Sequence, residues 1–415
     1  MRLPRLRQID RGSSAALVVL GSVACLLTAG LRPARAQTAA DLFDVNTIQE
    51  IRLSINSRDF AELRARYAEN VFFPADLTWR GTKVRNVALR SRGSGSRNPT
   101  KLGLLLEFDR YTTGQTFVGL SSLVLDNAWQ DPSFIREQIA MAFFNRMGQP
   151  APRESFCRLY INNVFQGLYV IIENIDSKFL SRALNDTTGY LYEYHWQFHW
   201  DMSDLGDELP AYQPLFEPRT HTLESEPTLY SPIRDLVREI NGPPDAVWRD
   251  RVSQYLDLDQ FITSVAIEVF LAEYDGLTGN WGMNNFYLFR PAATARHLIV
   301  PWDRDYAMIG QIDSSIVLRL DEYVFFQRAF SFSDLRARYF DVLEKCASIA
   351  AEDGWFESAV GQSATLIADL AHQDTRKQFT NDEFDSEIDF LKGFARSRSA
   401  YVLQEVAKAR LSIER

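Results

Sequence analysis

The chain has 415 residues, 46% of them hydrophobic and 13% aromatic, with ordinary glycine (21) and proline (16) counts. This length allows two or three domains or one large two-lobed fold, and the aromatic content excludes disordered, collagen-like and low-complexity chains. Net charge is -9, but the first 36 residues hold six Arg and one Asp; the remaining 39 basic and 53 acidic residues carry -14, which argues against nucleic-acid binding.

Residues 1–12 are basic, residues 14–31 are apolar and uncharged, and Ala34-Arg35-Ala36 precedes Gln37. This three-part pattern predicts an export signal removed near Gln37, so that the mature chain acts in the periplasm, at the cell surface or outside the cell. Two alternatives remain: an N-terminal membrane anchor, because the run is near the spanning minimum, and a lipoprotein attached through Cys25. No later stretch reaches 18 apolar residues, so no stable span is expected in the mature form.

From 37 to 175 the chain is predicted to be rich in strands. Residues 47–55 alternate as a strand, and a short helix follows from Ser57 to about Arg66. Residues 70–79 and 83–91 are strands around an Arg80-Gly81 turn. A buried strand starts at Lys101, and 121–126 is another. Asp131-Pro132 opens a helix running to about Arg146, with proline at its first position. Residues 154–162 and 165–173 form a hairpin around Asn162-Asn163.

From 176 to 415 the prediction is mainly helical: 176–184, 229–240, 245–255, 257–273, 333–350, 355–371 and 383–410. One short β unit, 284–290 with 297–300, is inserted. Residues 195–230 show little periodicity and are expected to form a surface insertion or lid. The fold class is therefore α+β, a β-rich N-terminal lobe followed by a mainly helical C-terminal lobe.

The densest polar cluster spans 273–305. Asp275 leaves a long helix into a loop with two glycines, Asn280 follows, and Asp303 and Asp305 come just after a strand. One carboxylate to accept a hydroxyl proton, with an amide and a second carboxylate to hold a hard cation, suits phosphoryl transfer. The same residues also serve turns and helix caps, and that alternative stays open.

A second cluster is Arg92-Gly93-Ser94-Gly95-Ser96 with Lys101. Small residues let backbone N–H groups approach phosphates, and a lysine nearby can neutralise them. Lys101 is one of only seven lysines, against 38 arginines. Its apolar neighbours predict burial, so it needs a partner; Glu137 and a competing role for Arg136 both fit, as does a snorkelling lysine in a plain hairpin. Glu173 closes a strand, either to meet a nucleotide or simply to end it. His195 and His199 have helical metal spacing but aromatic neighbours and no acidic partner in register, which favours stacking or a lid. Cys157 and Cys346 lie far apart, and neither a disulfide framework nor a cysteine zinc site is indicated. Hydrolase and Walker motifs are absent.

In order along the chain, Val87–Ser96 with Lys101, Asp131–Glu137, Asn162–Glu173, Tyr274–Asn280 with Asn284–Phe289, and Ile299–Asp305 resemble the CotH (spore coat protein H) kinase family, from about residue 47 to 407. The resemblance implies an atypical protein-kinase-like fold that binds ATP with Mg²⁺ or Mn²⁺ and phosphorylates Ser or Thr of a protein. It implies that Lys101 binds phosphates and Glu137 orients it, that Asp275 is the catalytic base, and that Asn280 and Asp303 hold the metal with Asp305 or Asn285 assisting. Arg92 and residues 93–96 would cover the phosphates, and Glu173 would border the nucleotide. Family members often carry Trp-Asp-Leu-Asp ending in Phe-Gly; here Arg304 stands inside Trp302-Asp303-Arg304-Asp305, and Met283-Asn284 replaces a common histidine. A kinase-shaped scaffold, or transfer of AMP or glutamate on the same fold, are the alternatives.

Overall fold

The computed structural model describes Met1 and residues 37–413. The expected export signal, residues 1–36, lies outside the residues described from Gln37 onward. Residues Ala39–Arg415 form one compact unit.

A short helix, α1 (Ala39–Leu42), leads into β1 (Gln49–Ile55) and α2 (Ser57–Ala65). Next come β2 (Phe73–Trp79), β3 (Thr82–Ser91), β4 (Leu104–Glu107) and β5 (Ser122–Asp126). Helix α3 (Arg136–Arg146) separates these from the hairpin β6 (Glu154–Ile161) and β7 (Val164–Ile172). The seven strands close into a barrel in the order β1-β2-β3-β4-β5-β7-β6. Closure comes from parallel pairing of β1 with β6, in register from Gln49 opposite Cys157 to Leu53 opposite Ile161. The β2–β3 and β6–β7 turns place Arg80-Gly81 and Asn162-Asn163 at positive φ, the conformation that matches strand twist in two-residue hairpins.

Alternation sorts the barrel's side chains. Ile51, Leu53, Leu77, Trp79, Leu104 and Leu106 fill its interior, where the Trp79 indole N–H donates to Gln49 Oε1 at 2.9 Å. Leu105, Val124, Phe156, Leu168 and Val170 face outward into a second core shared with α3 and the later helices. Strands covered on both faces read as continuous apolar runs, as in 104–106 and 168–172.

The second half contains α4 (Ser177–Ala183), α5 (Glu226–Asn241), α6 (Asp245–Val252) and α7 (Leu258–Phe270). These are followed by α8 (Val324–Ala329), α9 (Ser333–Ala351), α10 (Trp355–Gln373) and α11 (Asn381–Ile413). It also holds a four-stranded antiparallel sheet in the order β11-β10-β8-β9, made of β8 (Tyr190–Tyr194), β9 (Phe216–Pro218), β10 (Phe286–Arg290) and β11 (Leu298–Pro301).

Three expectations need correction. Helix α3 begins at Arg136, not at Asp131-Pro132. The Asp131 carboxylate accepts from the Ser133 N–H (2.8 Å), the Ser133 hydroxyl (2.6 Å) and the Arg136 N–H (3.0 Å). These side-chain bonds stabilise a turn in place of the first helical turn. Lys101 precedes β4 instead of lying on it. Residues 195–230 contain β9 and bury Trp200, Tyr212 and Leu215, so much of this segment is core. Among the described residues no helix is long and apolar enough to cross a membrane.

Candidate functional site

Helix α7 delivers the chain to the site, and its end is fixed from a distance. Arg398, fully buried on α11, donates to the carbonyls of Val269 (2.7 Å) and Phe270 (2.9 Å), and to those of Ile312 and Ser314. The first two are carbonyls at a helix C-terminus, where a cation is favoured. Burial lowers the Arg398 pKa to about 10.

The loop after α7 is shaped by two buried glutamates. Glu273 Oε1 accepts from the N–H groups of Tyr274 and Asp275, at 3.0 and 2.9 Å. Glu268 Oε2 accepts from the Leu277 N–H at 2.6 Å, and a side chain at Gly276 would collide with that carboxylate. Glu268 Oε1 is paired with Arg304. Arg304 also donates to the carbonyls of Asn285 (2.6 Å) and Trp302 (2.7 Å). Arg304 therefore points into the core and ties the Asp275 loop to the Asp303 loop, with no guanidinium presented to the cleft.

The result is a cleft of about 750 Å³. It is lined by Arg92, which lies 5.1 Å over the Trp302 ring, by the turn Gly93–Ser96, and by Asp275, Asn284, Asn285, Asp303 and Asp305. Trp196, Gln197 and Trp281 line it as well. Gly93 has φ +110°, a conformation that side chains rarely adopt. The Arg97 guanidinium braces the turn through the Gly93 carbonyl at 2.6 Å, and the Asn127 amide holds the carbonyls of Ser96 (2.9 Å) and Lys101 (2.7 Å). A second depression of about 590 Å³, lined by Val45, Asn46 and residues of α10, contains no titratable group.

Asp275 is gripped by two amides. Asn284 Nδ2 lies 3.1 and 3.0 Å from its carboxylate oxygens, and Asn285 Nδ2 lies 3.0 Å from Oδ2. Burial raises its pKa, with those amides opposing. Asp303 sits at φ +53°. Burial raises its carboxyl to about 6; Arg92 opposes, and Asp126 and Asp275 reinforce.

Behind Asp303 and Asp305 lies a group of buried carboxylates: Asp126 at the end of β5, Glu137 on α3 and Glu154 at the start of β6. Asp126 and Glu154 lie on the barrel face that carries Val124 and Phe156 toward the helices. Burial, then Glu154 and Asp303, holds Glu137 well above the ordinary carboxylate range. Burial, then Asp126 and Asp303, does the same for Glu154, and burial with Asp303 for Asp305. Glu137 Oε1 and both Glu154 oxygens have no hydrogen-bond partner. These oxygen-only donors are of the type a hard divalent cation takes, but among the described residues no three of them bring ligand atoms within 4.8 Å of one another. The Arg92 guanidinium stands 3.6 Å from Asp126.

The structure thus brings together Asp275, Asn285, Asp303, Asp305, Arg92 and residues 93–96. It places four expected residues outside the cleft lining. Lys101 does not pair with Glu137: its Nζ is 2.7 Å from Asp374, both side chains are fully buried, and the rings of Phe134 and Tyr169 lie 4.5 and 5.1 Å away. Neither Lys101 nor Glu137 lines the cleft. The amide oxygen of Asn280 accepts from Arg319, away from the cleft, and Asn284 stands beside Asp275 instead. Glu173 is closed by Arg153 (2.8 and 3.1 Å) and Arg182 (2.7 and 3.0 Å), which occupy both its oxygens.

The pair His195 and His199 is not helical. His195 Nε2 meets Glu217 at 2.7 Å, and Glu193, His195 and Glu217 present donor atoms within 4.8 Å of one another. Arg219, 3.1 Å from Glu217 and 3.7 Å from Glu193, already offsets their charge. Sequence reasoning missed Asp126, Glu154, Asn284, Asp374 and Arg398. Glu154 carried no signal of its own, standing at the head of a mixed strand, ESFCRLYI.

A mixed α+β fold with a cleft lined by carboxylates and a glycine turn is now in place, and residues 89–402 match the family described as CotH kinase protein. The chain belongs to that family. It is 24% identical over 358 residues to inner spore coat protein H of Bacillus subtilis (strain 168), covering 85% of this chain and 95% of the relative. An inner spore coat protein H-like protein of the same organism is 37% identical over 60 residues, 14% of this chain and 20% of that one. Among solved structures, the Helicobacter pylori proinflammatory kinase CtkA aligns over 77% of this chain and 96% of its own, with 12% identity and a TM-score of 0.31.

Proposed function

We propose that the chain is a two-lobed, metal-dependent kinase that transfers the γ-phosphoryl group of ATP to a Ser or Thr hydroxyl of a protein outside or at the edge of the cell. The observation that carries this reading is Asp275, fixed by Asn284 and Asn285 in the cleft that also holds Asp303, Asp305 and the turn Gly93–Ser96. Family membership supports the reaction class, and the three-part N-terminus supports export. A relative named for the inner spore coat is consistent with a protein acceptor in an envelope layer.

In this reading Asp275 aligns the acceptor hydroxyl and takes its proton. The two amides leave the carboxylate no rotational freedom, which is the positioning that phosphoryl transfer relies on. Asp303 and Asp305 would hold Mg²⁺ or Mn²⁺, with Glu137 and Glu154 behind them. A bound divalent cation would neutralise charge on the transferring phosphates. Backbone N–H groups of 93–96 and the Arg92 guanidinium would face the phosphate chain. Lys101 acts from behind: it anchors the segment after the glycine turn to Asp374, and Arg376 beside it reaches the Thr100 carbonyl at 3.3 Å.

The test is Asp275→Asn in the full chain, assayed with labelled ATP and Mn²⁺ by autophosphorylation and on a generic protein acceptor. The expected outcome is loss of transfer with an unchanged melting temperature. Wild-type activity in the variant would overturn the proposal. Mass spectrometry of the reacted protein distinguishes added phosphate from AMP or glutamate.

A further inference from the structure

Three of the four arginines that line the cleft have no part in the roles above. Arg90 on β3, Arg92 and Arg97 at the two ends of the glycine turn, and Arg219 just after β9 all line it. Arg90 donates to Asn70 Oδ1 and the Ser91 carbonyl, both at 2.9 Å. Arg97 donates to the carbonyls of Gly93 (2.6 Å) and Tyr67 (3.2 Å) and to Asn70. Every one of these acceptors is neutral. Among the described residues neither Arg90 nor Arg97 has a carboxylate within ion-pairing distance. Guanidiniums of like sign gathered in a half-buried cleft repel one another, and a folded chain with no use for them would pair or disperse them.

We infer that Arg90, Arg97 and Arg219, together with Arg92, form a polyanion site at the cleft mouth that holds the phosphate chain of the donor nucleotide, in place of the sequestered Lys101. This rests on the phosphoryl-transfer reading and names which residues hold the donor. The planar fork of arginine engages phosphate oxygens two at a time, and the small residues 93–96 let backbone N–H groups join them. The tilt of Arg90 supports the same view: burial and then Arg92 and Arg97 bring its pKa down to about 10, an environment that an anion would relieve. Arg219 lines the same cleft, and Glu193 and Glu217 leave it partly exposed.

The test uses inorganic tripolyphosphate and ATP as probes, titrated calorimetrically into the full chain, with EDTA and with Mn²⁺. Wild type, Arg90→Gln, Arg90→Lys and Arg219→Gln are compared, with Arg110→Gln, outside the cleft, as control; circular dichroism confirms folding. The expected result is tripolyphosphate binding by wild type even in EDTA, weakened about tenfold or more by Arg90→Gln and by Arg219→Gln. Arg90→Lys keeps the charge but loses the fork, and an intermediate affinity is expected. ATP bound equally well by wild type and both Gln variants overturns the arginine site while leaving the kinase reading intact. Tripolyphosphate bound without ATP upholds the anion site and overturns the nucleotide reading. Binding of an acidic peptide such as poly-Glu, but of neither phosphate probe, overturns this inference in favour of an acceptor-docking role.

Discussion

The floor and the mouth of the cleft are built in opposite ways. At the floor, Asp303 and Asp305 are backed by Asp126, Glu137 and Glu154, and oxygens of both glutamates lack any hydrogen-bond partner. At the mouth, Arg90 and Arg97 donate only to neutral acceptors. Arg92, 3.6 Å from Asp126, links the two regions. Elsewhere the same protein pairs several buried charges: Glu268 with Arg304, Lys101 with Asp374, and Glu173 with two arginines. Oxygens of Glu137 and Glu154 on one hand, and the guanidiniums of Arg90 and Arg97 on the other, are left without a charged partner. Such groups cost a fold stability, and on the proposed reading a cation and a polyanion would complete them.

Breaking the floor is expected to have the largest effect. Asp303→Ala removes a carboxylate shared by the cleft wall and the buried group behind it. Phosphoryl transfer measured with labelled ATP and Mn²⁺ should fall by roughly three orders of magnitude or more, the scale of losing electrostatic stabilisation in a dry site. Activity within tenfold of wild type would show that the floor holds no catalytic cation.

The same contrast explains what the sequence made legible. Asp275 stood out because an acid leaving a helix into a loop of glycines and asparagines has few purely apolar roles, and Asp303 because a second acid, Asp305, follows it just after a strand. Their neighbourhood follows from local chain geometry. The strands of the barrel were visible through alternation and through turns such as Asn162-Asn163. Barrel closure was not, because parallel pairing of β1 with β6 leaves no local pattern. Tyr190–Tyr194 alternates, but its partner β9 spans only three residues, too few to show a period. The spacing that favoured Asn280 as a ligand ignored the loop's own bonds, in which the Asn280 N–H donates to the Tyr274 carbonyl and Arg319 takes the amide. Lys101 was rightly flagged as scarce and buried, yet its partner Asp374 lies on a loop far along the chain. Among several acids, sequence offers no way to choose between Glu137 and Asp374.

Lys101 sharpens the comparison from the other side, as a charge that is paired. Lys101→Met leaves Asp374 buried alone and should destabilise the protein by about 3–5 kcal/mol, read from urea unfolding. The double variant Lys101→Met with Asp374→Leu should recover much of that loss, because an apolar pair of similar volume avoids both desolvation costs. A lysine acting on phosphates would behave differently. Lys101→Met would then leave stability near wild type and weaken tripolyphosphate binding, and that outcome would overturn the anchoring role.

The floor also makes a prediction about pH. Asp303, raised to about 6, and Asp305, Glu137 and Glu154, each raised well above the ordinary carboxylate range by burial, keep protons in the folded state that the unfolded chain releases near pH 4 to 4.5. Stability without a cation should therefore fall as pH rises from 5 to 8. Mn²⁺ at a hundred times its dissociation constant contributes about 3 kcal/mol, and its effect should be larger at pH 8, where no proton competes for the carboxylates. A thermal shift of equal size at pH 5 and pH 8 would remove the carboxylate group as the cation's site.

The smallest expected effect isolates one acid beside the floor. Burial raises Glu273 to about 8, against 4.5 in the unfolded chain, with Arg304 opposing. In the folded state it stays protonated between those values, so its contribution is fully present below about pH 4.5 and is lost as pH rises toward 8. Glu273→Gln keeps an oxygen to accept from the N–H groups of Tyr274 and Asp275 and removes the titration. Without added cation, the variant should match wild type near pH 5 and melt a few degrees higher at pH 8. If both proteins show the same slope between pH 5 and 8, Glu273 is not the proton-holding group. The pH sensitivity would then belong entirely to the carboxylates around Asp303, leaving Glu273 only its role in shaping the Asp275 loop.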